Sequence, residues 1–363
     1  VKTSPIRDLY PNATFDTFAG STMPASFVGI AAEYEAAHER AAIFDCSHVG
    51  KLLLTGDDVP KFLHNLATNE IEDLPLGGGC ETFFCDPRAK VMAHAWIYHI
   101  LTATRSHAIW VEVAPSLSPM LAKYLDRYLI SEEVEIEDVS EAYAQFHIAG
   151  PDARAVLERA IQSPLPDLRN LQHMERTFGL DVVAQVRRHD ALGVPGYDVI
   201  CTSNRAIGIW PMLVAAGATP AGSKVFETMR IEAGMPIYGI DIDETRFVME
   251  VARAAGSVSY NKGCYPGQEP IVMSRDRAKG VVNRAFMMLK VEDGSMLPTG
   301  SKLMKGEMSV GLITSCAHSP MVGGMLALGY VQKGNQEPGT TLEVALDSCR
   351  VPVTVLKLAE ASQ

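Results

Sequence analysis

Two stretches of this chain share one grammar. "GKLLLTGDDVPKFLHNLA" begins at Gly50 and "AQFHIAGPDARAVLERA" begins at Ala144. Each runs as an alternating strand, reaches a glycine, places an aspartate two residues on, and continues with apolar residues at helical spacing. The Gly-x-Asp step predicts a chain that leaves a strand and caps the next helix with a carboxylate. Few folds accept that unit twice in tandem.

The continuations of the two units are also alike. "CETFFCDPRAKVMAHAWIYHI" and "HAIWVEVAP" read as strands with a hairpin turn at Asp86-Pro87. The helix "SLSPMLAKYLDRYL" and the strand "VEIEDVS" come next. The second unit leads into strands around "DVVAQVRRHDALGVPGYDVICT" and a helix over "SNRAIGIWPMLVAAG". The repeat therefore predicts an α+β fold of two halves, residues 1–143 and 144–282, each an antiparallel sheet backed by helices. From residue 283 the character changes. "AFMMLKVE", "SKLMKG", "MSVGLITSC", "MLALGYVQ" and "TLEVAL" are short β runs separated by Gly, Pro and Ser, which predicts a small C-terminal β-barrel over 283–363.

The 363 residues suffice for these cores. Lys+Arg 32 against Asp+Glu 43 gives a net charge of -11, so the surface as a whole repels a polyphosphate. An anionic ligand needs a local basic cluster. No apolar run reaches the roughly 20 residues of a membrane helix, so no membrane partner is expected. The opening "VKTSPIRDLYPNATFDTFAG" lacks the layout of a secretory signal, and a cytoplasmic location is expected. The seven cysteines are scattered without a CxxC pair, so no structural metal site is expected and six of the seven should be small buried thiols. The chain has no phosphate-binding G-x-x-x-x-G-K-[ST], no H-E-x-x-H and no nucleophile elbow.

The seventh cysteine lies in "KGCYPGQE", Lys262 to Glu269. A nearby cation lowers a thiol's pKa from its free value of about 8.5. Lys262 is two residues from Cys264, and glycines on both flanks let the backbone bend. Gln268 and Glu269 could hydrogen-bond a heterocycle through paired donor and acceptor edges. The alternative is a Gly-rich turn with a passive thiol. Downstream, "SRDRAKGVVNR" gathers Arg275, Arg277, Lys279 and Arg284 against Asp276. Such a cluster suits carboxylates or RNA phosphates, or else protects a solvated hairpin edge. His94 and Tyr98, four apart on one strand, share a face. Arg230 and Tyr238 flank "EAGMPIYG".

"FETMRIEAGMPIYGIDID", "FLHNLATNEI" and "VGLITSCAHSP…MLALGYV" resemble the folate-binding T-protein of the glycine cleavage system and its relatives, over nearly the whole chain. Within that superfamily "KGCYPGQE" with "RDRAKGVVNR" is similar to the signature of the YgfZ family, although Pro266 stands where a small polar or aliphatic residue is usual. The resemblance implies a pseudo-repeated folate-binding domain with a C-terminal barrel, and tetrahydrofolate, or a polyglutamylated derivative, as cofactor. It implies Cys264 and Lys262 as reactive residues, and Tyr98, His94, Arg230, Tyr238, Gln268, Glu269 and Arg275 as folate contacts. It also implies a role in iron–sulfur protein assembly or repair, with iron–sulfur clients as partners. The rival is a folate-dependent aminomethyltransferase or demethylase. Against it, alignment on Tyr98 puts Ala93 and His94 where the transferases carry an aspartate pair, and Val194 or Pro195 where they carry a folate-gripping glutamate. A third reading is a scaffold binding RNA or a client protein.

Overall fold

The structure is a computed structural model, described for residues 3–101, 107–115, 117–276, 281–346 and 349–358. The repeat is real in three dimensions. In the first half, Gly50–Thr55 leads to the helix Val59–His64, and the strands Gly79–Cys85, Val91–Leu101 and His107–Val113 come next as a meander. Gly50–Thr55 pairs antiparallel with the last of them, and Glu135–Asp138 adds at the edge. In the second half, Tyr143–Ala149 leads to the helix Ala153–Ile161. His173–Phe178, Val182–Arg188 and Gly196–Thr202 form the same meander, and the last of these pairs with Tyr143–Ala149.

Alternation along these strands sorts side chains into two layers. Ala93, Ala95, Ile97, Val111 and Val113 face outward onto Val59, Phe62, Leu63, Leu121 and Leu125 of the first half's helices. Phe146, Ile148, Val186, Val199 and Cys201 face the helices Ala153–Ile161 and Ala206–Ala215 of the second. The opposite faces of the two sheets meet each other, with Tyr98 and Trp110 of the first packed on Ile200 of the second. Both faces of both sheets are thus covered.

The halves are also interleaved. Ala42–Asp45 precedes the first unit, yet it pairs antiparallel with Tyr143–Ala149 and belongs to the second sheet, where Thr219–Pro220 adds beside it in parallel. A cut after residue 143 does not separate the two sheets.

The barrel closes in the order Arg284–Val291, Gly324–Gln332, Met308–Ser319, Lys302–Lys305, Thr341–Ala345, Arg350–Leu356. Leu289, Ile313, Ala327, Val331 and Val353 fill its interior. Phe286, Leu326, Leu328 and Tyr330 point outward onto Ile231 of the helix Ser223–Glu232, so that helix is wedged against the barrel wall.

Asp58 and Asp152 occupy the N-cap positions that the Gly-x-Asp step predicts, but neither carboxylate caps its helix. Their backbones already lie near helical angles (φ -86, ψ -6 and φ -92, ψ 3), whereas side-chain capping needs an extended residue. Asp58 instead accepts a hydrogen bond from the Glu133 amide at 2.8 Å. The glycines carry the constraint. Gly56 and Gly150 have φ +125 and +129, and a Cβ would lie 1.9 Å from the Glu133 carbonyl oxygen at the first and 2.5 Å from that of Arg40 at the second. Gly150→Ala should destabilise the protein by about 2–3 kcal/mol in urea denaturation, from backbone strain and overlap together.

Candidate functional site

An open cavity lies between the inner faces of the two sheets, bordered also by Phe226 and the segment Met235–Tyr238. Its position is set by the strands. Once the outer faces are spent on helices, the residues left to face the other sheet are polar or aromatic: His94 and Trp96 on one strand, Gln145 and His147 on another, Asp198 on a third. Trp96 stands between two imidazoles, with ring centroids 4.5 Å from His94 and 5.7 Å from His189. Phe18, Phe226 and Tyr238 complete the apolar wall.

Each carboxylate here has its partners within the protein. His94 lies with Nε2 2.6 Å from Glu81 Oε1, and Arg253 Nε donates to the same oxygen at 2.8 Å. Burial opposes ionisation of Glu81, but His94 and Arg253 outweigh it and hold the carboxyl at about 2. Asp198 bridges two histidines: Nδ1 of His147 meets Oδ1 and Nδ1 of His189 meets Oδ2, both at 2.8 Å. Burial works against its ionisation too, and the two histidines hold it far below the usual carboxylate range. Asp198 in turn raises His189, against the effect of burial, with help from Glu112 and Glu81. Donor atoms of His147, His189 and Asp198 lie within 4.8 Å of one another. With both Nδ1 atoms on the carboxylate, the trio reads as a hydrogen-bonded network. Glu112 pairs with Arg187 and accepts from Trp110 Nε1 at 3.0 Å and Gln145 Nε2 at 3.2 Å.

The residues singled out in the sequence divide between two places. His94, Arg230 and Tyr238 line the cavity. Tyr98 does not. It is wholly buried deeper between the sheets, with the Arg187 guanidinium 4.0 Å from its ring centroid. Arg230 reaches the wall already engaged, its guanidinium on Asp241 Oδ2 and Ser315 Oγ at 2.6 Å each and on Glu227 Oε2 at 2.8 Å. It ties the helix Ser223–Glu232 to the barrel strand. Burial raises the Tyr238 phenol, as do Glu244 and Asp243.

No residue of "KGCYPGQE" is on the cavity wall. Its expected neighbourhood needs correction for a packing reason. Tyr265 and Ile271 are buried against Phe83, Cys85 and Val91, which seats the turn on the hairpin end at Asp86. Cys85 Sγ donates to the Pro266 carbonyl at 3.0 Å. Cys264 is exposed. Lys262 directs its ammonium onto the carbonyl oxygens of His64, Ala67 (2.7 Å) and Asn69 (2.8 Å). Three acceptors use all three of its donors, leaving none for Cys264. Burial lowers Lys262 to about 8, with Glu70 and Cys80 opposing. Gln268 and Glu269 begin the helix Gln268–Asp276, away from the cavity. Arg275 pairs with Asp276 at 2.6 Å and covers the Tyr260 ring at 4.3 Å. Arg275 is therefore not a bare cation, and it lies on a helix where the sequence offered a hairpin edge. Arg277 and Lys279 lie outside the described residues. Of the other six thiols, Cys46, Cys85 and Cys201 are buried, Cys80 and Cys316 are half-buried and Cys349 is exposed, contrary to the expectation of six buried thiols.

Sequence reasoning missed Trp96, Glu112, His147, His189 and Asp198. The signal for His147 was present as "QFHIA", polar on one face and apolar on the other. Arg253 had no local signal, because its partner Glu81 is 172 residues away.

Residues 9–255 match the GCVT N-terminal domain, and residues 284–359 match the glycine cleavage T-protein C-terminal barrel domain. The chain belongs to the glycine cleavage T-protein family. A chloroplastic protein of Arabidopsis thaliana provisionally named a transferase is 30% identical over 84% of this chain and 68% of its own. The aminomethyltransferase of Nostoc sp. is 28% identical over 95% and 91%, and that of Caldanaerobacter subterraneus is 26% identical over 95% and 92%. The crystal structure of glycine cleavage system aminomethyltransferase T from Bartonella henselae superposes with a TM-score of 0.87, covering 98% of this chain and 97% of that one at 21% identity. That likeness establishes the fold: α+β, with a closed C-terminal barrel.

Glu81 generates a test by acid. Its folded pKa of about 2 lies below the ordinary 4.5. Its contribution is therefore present above the ordinary value and lost as pH falls through the folded one. The difference corresponds to about 3 kcal/mol. Glu81→Gln should lose a similar amount near neutral pH and flatten the fall in urea stability between about pH 4.5 and about pH 2.

Proposed function

We propose that the inter-sheet cavity binds tetrahydrofolate or its polyglutamylated form, and that the protein serves iron–sulfur protein assembly or repair in the manner of YgfZ-type proteins. One observation carries this reading over aminomethyl transfer. Both carboxylates on the described cavity wall, Glu112 and Asp198, and Glu81 behind His94 are engaged by arginine or histidine inside the protein. Transfer to a folate nitrogen develops positive charge there, and an uncommitted carboxylate is what steadies it. His94 occupies the aligned aspartate position, and it is a partner of Glu81 rather than an anion. Flat aromatic walls beside Trp96, Phe226 and Tyr238 suit a pterin. Cys264, exposed on its turn, supplies a thiol that a client can reach.

Aminomethyl transfer is the second reading, favoured by likeness to aminomethyltransferases over more than nine-tenths of both chains. A carrier-bound aminomethyl donor with tetrahydrofolate separates the two. Transfer should run about a hundredfold to ten-thousandfold slower than in the transferases, the usual worth of a lost acid–base group. Transfer at their rate would establish the second reading instead.

Folate occupancy has its own measurement. A ligand specific to the folded state adds about 2.7 kcal/mol of stability at a hundred times its dissociation constant. Tetrahydrofolate should raise the melting temperature accordingly, and a flat titration confirmed by calorimetry would remove folate. Cys264→Ser should keep wild-type stability yet fail to restore iron–sulfur enzyme activity in cells lacking the protein. Full restoration would make the thiol a passenger.

A further inference from the structure

Three clusters outside the turn are candidates for chemistry. In the Glu81–His94–Arg253 group, Glu81 takes His94 Nε2 and the Arg253 guanidinium together, so its carboxylate is spent within the protein. The Arg230–Asp241–Glu227 group is a saturated clamp. The third, His147–Asp198–His189, differs because one carboxylate holds two imidazoles, each by Nδ1.

The hydrogen bonds fix the proton positions. An ionised Asp198 can only accept, so each Nδ1 that meets it carries a proton. When these rings are neutral, Nε2 of each is therefore a bare lone pair. Both Nε2 atoms are buried and have no hydrogen-bond partner among the described residues. They are not equivalent. A Cβ built on Gly196 would stand 3.0 Å from Nε2 of His147, so that edge is packed against backbone. His189 lies beside Trp96 on the cavity wall, with its side chain 14% exposed. A buried, unpartnered nitrogen is costly unless something meets it.

We propose that His189, oriented through Nδ1 by Asp198, is the proton-exchanging residue of the cavity, its Nε2 meeting the polar edge of a flat nitrogen heterocycle. The inference takes from the proposed function only that the ligand is such a heterocycle. Neutral His189 accepts a proton at Nε2 from a ring N–H. The N–H bond breaks toward the ligand nitrogen, which keeps the electron pair, and a new N–H bond forms on imidazole. Asp198 offsets the imidazolium without itself taking the proton, as an aspartate behind a catalytic histidine does. Protonated His189 donates from Nε2 to a ring carbonyl and can return the proton. His147, the second donor to Asp198, keeps that carboxylate ionised and in place.

Charged groups bear on His189 from every side. Asp198 is across the strand pair, and Glu112 and Glu81 act from the facing sheet. His147 lies with its ring centroid 6.0 Å away. The neighbouring Arg188 and Asp190 pair with each other at 2.7 Å. Burial opposes protonation of His189, but Asp198 in direct contact outweighs it, with Glu112 and Glu81 adding from farther off. The imidazolium therefore persists to higher pH than in a free imidazole.

The test is calorimetry of tetrahydrofolate binding in buffers of different ionisation enthalpy, from about pH 5 to about pH 8. The wild type should exchange protons on binding, with a net number that varies by roughly half a proton or more across that range. His189→Gln should bind about tenfold to a hundredfold more weakly, the worth of one charge-assisted hydrogen bond, with that variation gone. Should His189→Gln fail to fold, the isosteric Asp198→Asn carries the same test, because loss of the anion should move the profile to lower pH. A variant profile identical to the wild type overturns the proposal. Absence of tetrahydrofolate binding at every pH overturns the folate reading alone. Nitrogen-15 NMR of the unliganded protein then decides. A His189 ring with Nδ1 protonated and Nε2 titrating within the range sustains the proposal, and a ring that does not titrate, or holds a metal ion, overturns it.

Discussion

The Glu112–Arg187 pair joins the two sheets across their shared interior. Arg187 is fully buried and spreads its guanidinium over Tyr98 of the facing sheet. Glu112 receives Arg187, Trp110 and Gln145, so residues from both halves converge on one carboxylate. Leaving one buried member without its partner typically costs about 3–5 kcal/mol. Two apolar sheet faces would slide to whatever spacing packs best. A charged pair between them fixes both spacing and register, because only one arrangement satisfies every donor. The cavity lies beside this point and inherits its width from it.

The same layer explains what the sequence disclosed and what it hid. Alternation in "AQFHIA" is legible and correctly gives a strand with one apolar face. The ordinary meaning of its polar face is solvent, and here that face is the inter-sheet interior. Periodicity reports that two faces differ, but not which medium each one meets. The units, their order and the barrel were therefore readable from short-range pattern. The site was not, because Glu81 with Arg253 and Glu112 with Arg187 are paired across long separations that no local rule records. "KGCYPGQE" shows the converse error. A dense motif suggested its own internal chemistry, whereas Lys262 is consumed by carbonyls of a distant loop and Tyr265 by a distant hairpin.

The cavity is consequently polar without carrying uncommitted charge. Carboxylates, guanidinia and imidazoles are present, but nearly all are oriented and compensated before any ligand arrives. Such a wall exerts fixed dipoles at low reorganisation cost, which favours recognition of a neutral, edge-polar ring over attraction of a free ion. The net charge of -11 points the same way, since it gives no general pull on anions.

Interleaving by Ala42–Asp45 sets an order of events during synthesis. That strand leaves the ribosome roughly a hundred residues before Tyr143–Ala149, its antiparallel partner, and elongation takes about 5–20 seconds to supply it. The first sheet can assemble from local hairpins in the meantime, while a mostly apolar tetrapeptide waits unpaired beside it. A strand made early is thus among the last to find its place. The delay exposes a strand edge to other chains, as long-range β pairing does generally. Nascent chains of this protein should need shielding most during that interval, after the first half is shaped and before the second can take its strand back.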